Sequence, residues 1–268
     1  MRTLSLAALT VLELSPVEMV RCAAETGFSQ VGLRLVPATP NEPTWASVGD
    51  TPLMRETQAA LRDTGVRVHD IEILRLRPET RVADFVPVLD TGASLAARYV
   101  LVAGNDPDER RTIAHLTELA DLAAPLGLCV VLEPMPWTDV RDFVQGLRVV
   151  EATGRSNVGV LIDPIHFDRA INDADQLRGV APERLPYLQF CDAPAERPTT
   201  LEGLLHQARA QRWLPGDGGL ELAPLLRAVP AGVPLSIELP MPVALTASQR
   251  AKLVRAATVK WLKKFELS

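Results

Sequence analysis

Short apolar runs alternate with longer amphipathic segments along the whole chain, and that alternation limits the available folds more than any single motif. The runs are LSLAAL from residue 4, QVGLRLV from 30, VRVHDIEIL from 66, YVLVAG from 99, LCVVLEP from 128, VGVLIDP from 158, YLQFCD from 187 and PLSIEL from 234. Runs that stay apolar without polar interruption suit strands covered on both faces, as in a parallel sheet whose crossovers are helices. Eight such units predict an α/β fold whose sheet closes on itself, a (β/α)8 TIM barrel, with residues 1–268 forming a single domain. An open doubly wound sheet fits less well, because no Gly-x-Gly-x-x-Gly follows any run. The segment SPVEMVRCAAETGF opens with Ser15-Pro16-Val17-Glu18, a capping box with proline at the first helical position. VLDTGASLAARY, DERRTIAHLTELADLAAPLG and TASQRAKLVRAATVKWLKKF read as later helices. The Pro-rich stretches 36–52 and 192–200 follow strands and read as long βα loops.

With 268 residues, 47% hydrophobic and 23% charged, one sizeable core is expected. A net charge of -5 argues against a nucleic-acid partner, which calls for a basic surface, and in favour of a small-molecule substrate. No run is long enough for a membrane span. Cys22, Cys129 and Cys191 are widely spaced in apolar contexts, and so read as buried thiols of a reducing compartment. The opening MRTLSLAALTVLELS is interrupted by Glu13 and has no small-residue cleavage site, so it reads as a first strand, and a cytoplasmic protein is expected. A homo-oligomer is compatible with all of this.

In a TIM barrel the reaction chamber lies at the C-terminal ends of the strands. Four consecutive runs carry an oxygen-bearing side chain there: Glu133, Asp163, Gln189 and Glu238. One carboxylate at a strand end is as often a helix cap or a solvated loop residue. Three converging in apolar surroundings would repel one another, and a divalent cation between them removes the conflict. An oxygen-rich set without cysteine favours Mg²⁺ or Mn²⁺ over a structural zinc, with Co²⁺ and Zn²⁺ as further candidates. Gln189 is the weakest member, being a neutral amide. Pro164 disfavours helix at Asp163 and holds it extended, so that His166, just beyond, faces a bound ligand.

In order and spacing, VVLEP, LIDPIH, LQFCD, PGDGGLEL and LSIEL resemble the xylose-isomerase-like TIM barrels, which include sugar isomerases and epimerases, hydroxypyruvate isomerase, dehydroshikimate dehydratase and endonuclease IV. The resemblance covers essentially the whole chain. It implies that Glu133, Asp163, Gln189 and Glu238 are metal ligands and that His166 contacts substrate. The third ligand is commonly histidine in the epimerases, so Gln189 departs from them and looks more like hydroxypyruvate isomerases and some bacterial dehydratases.

Lesser expectations attach to other residues. Glu72 is placed to bond a substrate hydroxyl or to pair with Arg75 or Arg34. His69, deeper in the same strand, is read as structural. Trp137 is a candidate pocket wall, and Arg197 a candidate for holding a carboxylate or phosphate. His115 and His206 fall on helices and read as surface residues, and Asp217 in PGDGG reads as a turn former.

The leading expectation is a divalent-metal-dependent isomerase or epimerase of a small sugar or hydroxy-carbonyl compound. Proton transfer would pass through a metal-stabilised enediolate, with Glu133, Glu238 and His166 as the catalytic groups. The alternative is a lyase of the 3-dehydroshikimate dehydratase type, which begins with the same proton abstraction. A non-catalytic binding protein on the same barrel is a second alternative. Endonuclease IV chemistry is remote, since it relies on many histidine ligands and this chain has four histidines.

Overall fold

All eight apolar runs form strands in the computed structural model, which describes residues 2–241 and 244–266. They are β1 (Leu4–Leu6), β2 (Gln30–Arg34), β3 (Arg67–Leu76), β4 (Tyr99–Gly104), β5 (Cys129–Glu133), β6 (Val158–Val160), β7 (Leu188–Phe190) and β8 (Leu235–Ile237). The ladders between them are parallel, in the order β6-β5-β4-β3-β2-β1-β8-β7. The two ends of that order meet. Ile162 bridges Leu188 in parallel, and the Gln189 N–H donates to the Ile162 carbonyl at 3.0 Å, so the sheet curls into a barrel.

Helices α1 (Pro16–Glu25), α2 (Pro52–Thr64), α3 (Val86–Ser94), α4 (Glu109–Ala123), α5 (Phe143–Ala152), α6 (Pro164–Arg169), α7 (Leu201–Ala210), α8 (Leu222–Ala228) and α9 (Ala247–Lys264) lie between and after the strands. The box at α1 forms: the Ser15 N–H and hydroxyl both donate to the Glu18 carboxylate, at 2.8 and 2.6 Å. The first Pro-rich stretch is a loop only as far as Thr51, whose hydroxyl caps α2 with Pro52 at its first position. The sixth run is strand only over its first three residues, because Asp163 leaves the sheet to cap α6.

Alternate residues of β4 show why its run is apolar throughout. Val100 and Val102 belong to the core between sheet and helices. Tyr99, Leu101 and Ala103 fill the barrel interior with Ile73, Val131, Met135, Leu161 and Tyr187. The cysteines are free. Cys22 and Cys191 are buried as expected, whereas Cys129 is only half-buried at the start of β5. Burial lifts the thiols of Cys22 and Cys129 to about 11, which keeps them protonated. Among the described residues no helix is long and apolar enough to cross a membrane.

Candidate active site

The strand ends bring the acids together. Glu133 closes β5, Gln189 lies in β7, Glu238 follows β8, and Asp163 stands beyond β6 with extended backbone (φ -102°, ψ 124°), as a residue before proline should. Asp163 is both cap and site residue, since its carboxylate accepts the Ile165 N–H at 2.9 Å. None of the four is more than 4% exposed. Glu133, Gln189, Glu238 and His166 line a chamber of about 470 Å³ at the barrel mouth.

Burial dominates their electrostatics. Burial, then the charges of Glu238 and Asp163, raise the Glu133 carboxyl well above the usual carboxylate range. Glu238 is lifted to about 7 by burial, with Arg212 opposing the rise and Glu72 and Asp163 adding to it. Burial would raise Asp163 too, but Arg212, His166 and the Ile165 N–H together carry it below its ordinary value. Burial lowers His166 to about 4, so the imidazole is neutral at physiological pH.

Ligand atoms of Glu133, Asp163 and His166 lie within 4.8 Å of one another. His166 Nε2 stands 3.5 Å from Glu133 Oε1 and 3.8 Å from Asp163 Oδ2, beyond hydrogen-bonding range. Glu133 Oε1, Gln189 Oε1 and His166 Nδ1 are buried without hydrogen-bond partners among the described residues. Orphaned buried acceptors are costly, and carboxylate oxygens with an amide oxygen and a neutral imidazole form a donor set suited to a divalent cation. The residues fit such an ion. His166 stands among the acids as well as facing the chamber, while Gln189 turns its Nε2 to Glu238 Oε1 at 3.0 Å.

A residue without a sequence signal completes the centre. Arg212 is 2% exposed and bonds Asp163 Oδ2 at 2.5 Å and Glu238 Oε2 at 2.8 Å, taking one oxygen of each. Its Nε donates to the Ala208 carbonyl at 2.7 Å. Backbone pairing holds it there: the Arg212 N–H donates to the Pro240 carbonyl at 3.1 Å, and the next residue, Trp213, forms an antiparallel bridge with Asp192, whose carboxylate accepts N–H groups from Gly216, Gly218 and Leu220 of the PGDGG turn. Gly218 is required there, since a Cβ would lie 2.2 Å from Asp192 Oδ1. Asp217 itself is exposed in that turn.

Glu72 lines the chamber and pairs with Arg34 at 3.2 Å. Arg34 also holds Glu42 at 3.0 Å, pinning the loop after β2 across the mouth. Arg75 takes no part in this pairing; it donates to Asn105 at 3.0 Å. Trp137 walls the chamber and meets the His166 ring edge-on, with centroids 4.8 Å apart. Arg197 lies elsewhere: it pairs with Asp168 at 2.9 Å and lines a separate cavity beside α6 and α8. His69 sits inside the barrel against Tyr99 and Tyr187. His206 is exposed on α7 as expected, whereas His115 on α4 is half-buried.

Residues 20–265 match the family described as xylose isomerase-like TIM barrel. An inosose isomerase of Bacillus velezensis is 28% identical over 159 residues, 55% of this chain and 54% of that enzyme. A 3-dehydroshikimate dehydratase of Pseudomonas aeruginosa is 31% identical over 127 residues, 46% of this chain and 19% of that protein. The chain thus aligns with about half the length of the first relative and a fifth of the second. The crystal structure of the IOLI protein with a bound zinc atom superposes with a TM-score of 0.81 at 21% identity, covering 99% of both chains.

Proposed function

The chain belongs to the xylose isomerase-like TIM barrel family, and from that premise we propose that it is a divalent-metal-dependent isomerase of a small polyhydroxylated carbonyl compound, of the inosose isomerase type. The observation that carries this reading is the buried group Glu133, Asp163 and His166, with Glu238 beside it and, on two residues that line the same chamber, oxygens of Glu133 and Gln189 without a partner among the described residues. Glu133, Asp163, Gln189 and Glu238 would hold the ion, with His166 close enough to join them. Mn²⁺ and Mg²⁺ suit the oxygen-rich set, and the zinc of the IOLI structure adds Zn²⁺ to the ions worth testing. When bound, the ion supplies positive charge beside the oxygens on which negative charge develops as a proton leaves the adjacent carbon.

The protein's own groups move the proton. Glu133 and Glu238 come from opposite ends of the acidic arc, so one removes the proton and the other returns it. A carboxyl lifted to about 7 exchanges protons readily near neutral pH, which suits Glu238 to that work. His166, neutral, orients a substrate oxygen by hydrogen bonding. Trp137 and Met135 give the chamber an apolar wall that limits water. A lyase of the 3-dehydroshikimate dehydratase type would share the proton abstraction and then expel a β-hydroxyl. The Pseudomonas relative favours that second reading.

Incubation with inosose in D₂O with Mn²⁺ tests the proposal. The wild type should wash the proton next to the carbonyl into solvent and form the isomeric inosose. Glu133→Gln and Glu238→Gln should each lose turnover, with one retaining exchange. Exchange and turnover unaffected by both changes would remove the two-glutamate reading.

A further inference from the structure

Beneath the chamber the barrel interior is polar along one line. Gln189 of β7 is level with Ser236 of β8, Ser236 with Ser5 of β1, and Ser5 with Gln30 of β2. These side chains point into the barrel, because the residues beside them, such as Phe190, Ile237, Leu6 and Val31, belong to the core between sheet and helices. Strands of a closed barrel lean by about 36°, so a row that follows the ladder also runs down the barrel. Gln189 accordingly lines the chamber, while Gln30 is half-buried at the N-terminal start of β2. The row covers roughly 14 Å.

Its polar atoms are left open. Ser5 Oγ, Gln30 Oε1 and Gln189 Oε1 are buried without hydrogen-bond partners among the described residues, and so are Asp70 Oδ1, the Tyr187 hydroxyl and both ring nitrogens of His69. Tyr187, two residues before Gln189, lies inside the barrel against His69. Asp70 takes the space that Gly32 leaves on the inner face of β2, where a Cβ would lie 2.9 Å from its Oδ1. Ser236, Ser5 and Gly32 are small where a barrel interior usually carries bulky branched side chains. Buried polar groups need partners, and this set mixes two kinds. The Tyr187 hydroxyl, one His69 nitrogen and the second N–H of the Gln189 amide donate, whereas the amide and carboxyl oxygens accept. A cation would satisfy the acceptors alone; water satisfies both. Burial, then the charges of Glu72 and Glu238, push the Asp70 carboxyl well above its ordinary value, which favours an uncharged form that needs no counterion. Neighbours about 4.8 Å apart on the ladder are spaced so that one water, bonded to each at about 2.8 Å, bridges them.

We propose that the row Gln189, Ser236, Ser5 and Gln30 holds a file of ordered water molecules through the barrel, with Asp70 and Tyr187 as lateral partners, joining the inner wall of the chamber to solvent at the floor. About three waters fill it, at one per neighbouring pair. The floor end opens at the half-buried Gln30. On the same face Tyr99, packed on His69 and Tyr187, lines a cavity of about 590 Å³. At the chamber end a water accepts the second N–H of the Gln189 amide, whose first goes to Glu238, and so fixes the orientation of that amide. Solvent thereby reaches the chamber wall from below, whatever occupies the mouth. The file goes beyond the proposed reaction and does not rest on it.

High-resolution crystallography of the purified protein, paired with oxygen-17 relaxation dispersion of water in solution, tests the file. The crystals should show about three waters inside the barrel, each bonded to more than one of the named groups, with Ser5 Oγ, Gln30 Oε1 and Asp70 Oδ1 among the partners. Relaxation dispersion counts internal waters that still exchange with solvent. Ser5→Val, which plugs the row, should lower that count by about one or two, and so should Gln30→Leu at the half-buried floor end, with Mn²⁺ uptake unchanged in both. Melting temperatures establish that the variants are folded, and Gln30→Leu carries the test if Ser5→Val does not fold. A dry interior in which these groups bond one another, a single cation among the oxygens in place of waters, or a count unchanged in both variants overturns the file. Waters ordered in the crystal but silent in solution overturn its link to solvent. Waters present in a protein that takes up no Mn²⁺ keep the file and remove the proposed metal site.

Discussion

The two sides of the barrel mouth handle their charges differently. From β5 to β8 the fold collects Glu133, Asp163 and Glu238, and although Arg212 offsets two of them, Glu133 stays strongly raised and keeps an unpartnered oxygen. Across β2 and β3 the charges are Arg34, Glu42, Glu72 and Arg75, where Arg34 holds both carboxylates and Arg75 bonds the neutral Asn105. The acidic side thus keeps a buried carboxylate oxygen with no partner among the described residues, whereas the β2–β3 side balances its charges within itself. The barrel floor is a third environment, where His69 is buried with both ring nitrogens unpartnered and takes no part in lining the chamber.

The harshest way to break the contrast is to remove the internal cation. Arg212→Met leaves Asp163 and Glu238 buried without their partner, and stripping one member from a buried pair costs on the order of 3–5 kcal/mol. Urea unfolding without metal should show a loss of that size, and saturating Mn²⁺ should restore part of it, because an ion bound only by the folded state stabilises that state. A loss under about 1 kcal/mol would mean that the acidic side tolerates its charges unaided.

Next in size is the chemical role of the acids. Glu238→Gln keeps the shape and one oxygen but ends proton acceptance, so turnover should fall by about 10²-fold or more, with Glu133→Gln comparable. Metal uptake should survive better than turnover. If turnover and metal affinity fall together in both variants, the glutamates are ligands only.

These strand-end acids were legible in the sequence for a physical reason. A parallel strand covered on both faces rarely carries a carboxylate except near its end, so Glu133 after VVL and Asp163 after VLI stand out. Arg212 could not be read this way, because it follows a helix among Ala, Gln and Trp, and its placement depends on backbone pairing with Pro240 and, through Trp213, with Asp192. The partner of Glu72 was equally hidden. Arg34 and Arg75 were both plausible, and register decides: Arg34 lies directly beside Glu72, while the ladder shifts between Ile71 and Leu74, which turns both Glu72 and Arg75, three residues apart, toward the chamber. The expected role of Arg197 rested on loop position alone, and the structure gives it to Asp168.

The floor offers a pH test that leaves the mouth alone. Burial, with Arg98 nearby, holds His69 at about 3 against an ordinary value of 6.5, so the unfolded chain binds a proton that the folded chain refuses. Its contribution to stability is present above pH 6.5 and is lost as pH falls toward 3. Between pH 7.5 and pH 5 this is worth at most about 2 kcal/mol. The urea midpoint of the wild type should therefore fall more on acidification than that of His69→Phe; identical slopes would show that His69 is not buried neutral. The smallest effect belongs to Arg197→Ala, which removes a half-exposed pair with Asp168. About 0.5 kcal/mol or less is expected, and a loss of substrate affinity would return Arg197 to the site.

Anomalous diffraction from crystals grown with Mn²⁺ tests the central claim most directly. The account predicts one strong peak in the chamber, within bonding distance of oxygens of Glu133 and Asp163 and next to Glu238, with the Arg212 guanidinium still paired with Asp163 and Glu238. Saturating Mn²⁺ with no peak among these residues, or with the peak on surface carboxylates alone, would contradict the claim that the acidic side of the mouth is a cation site.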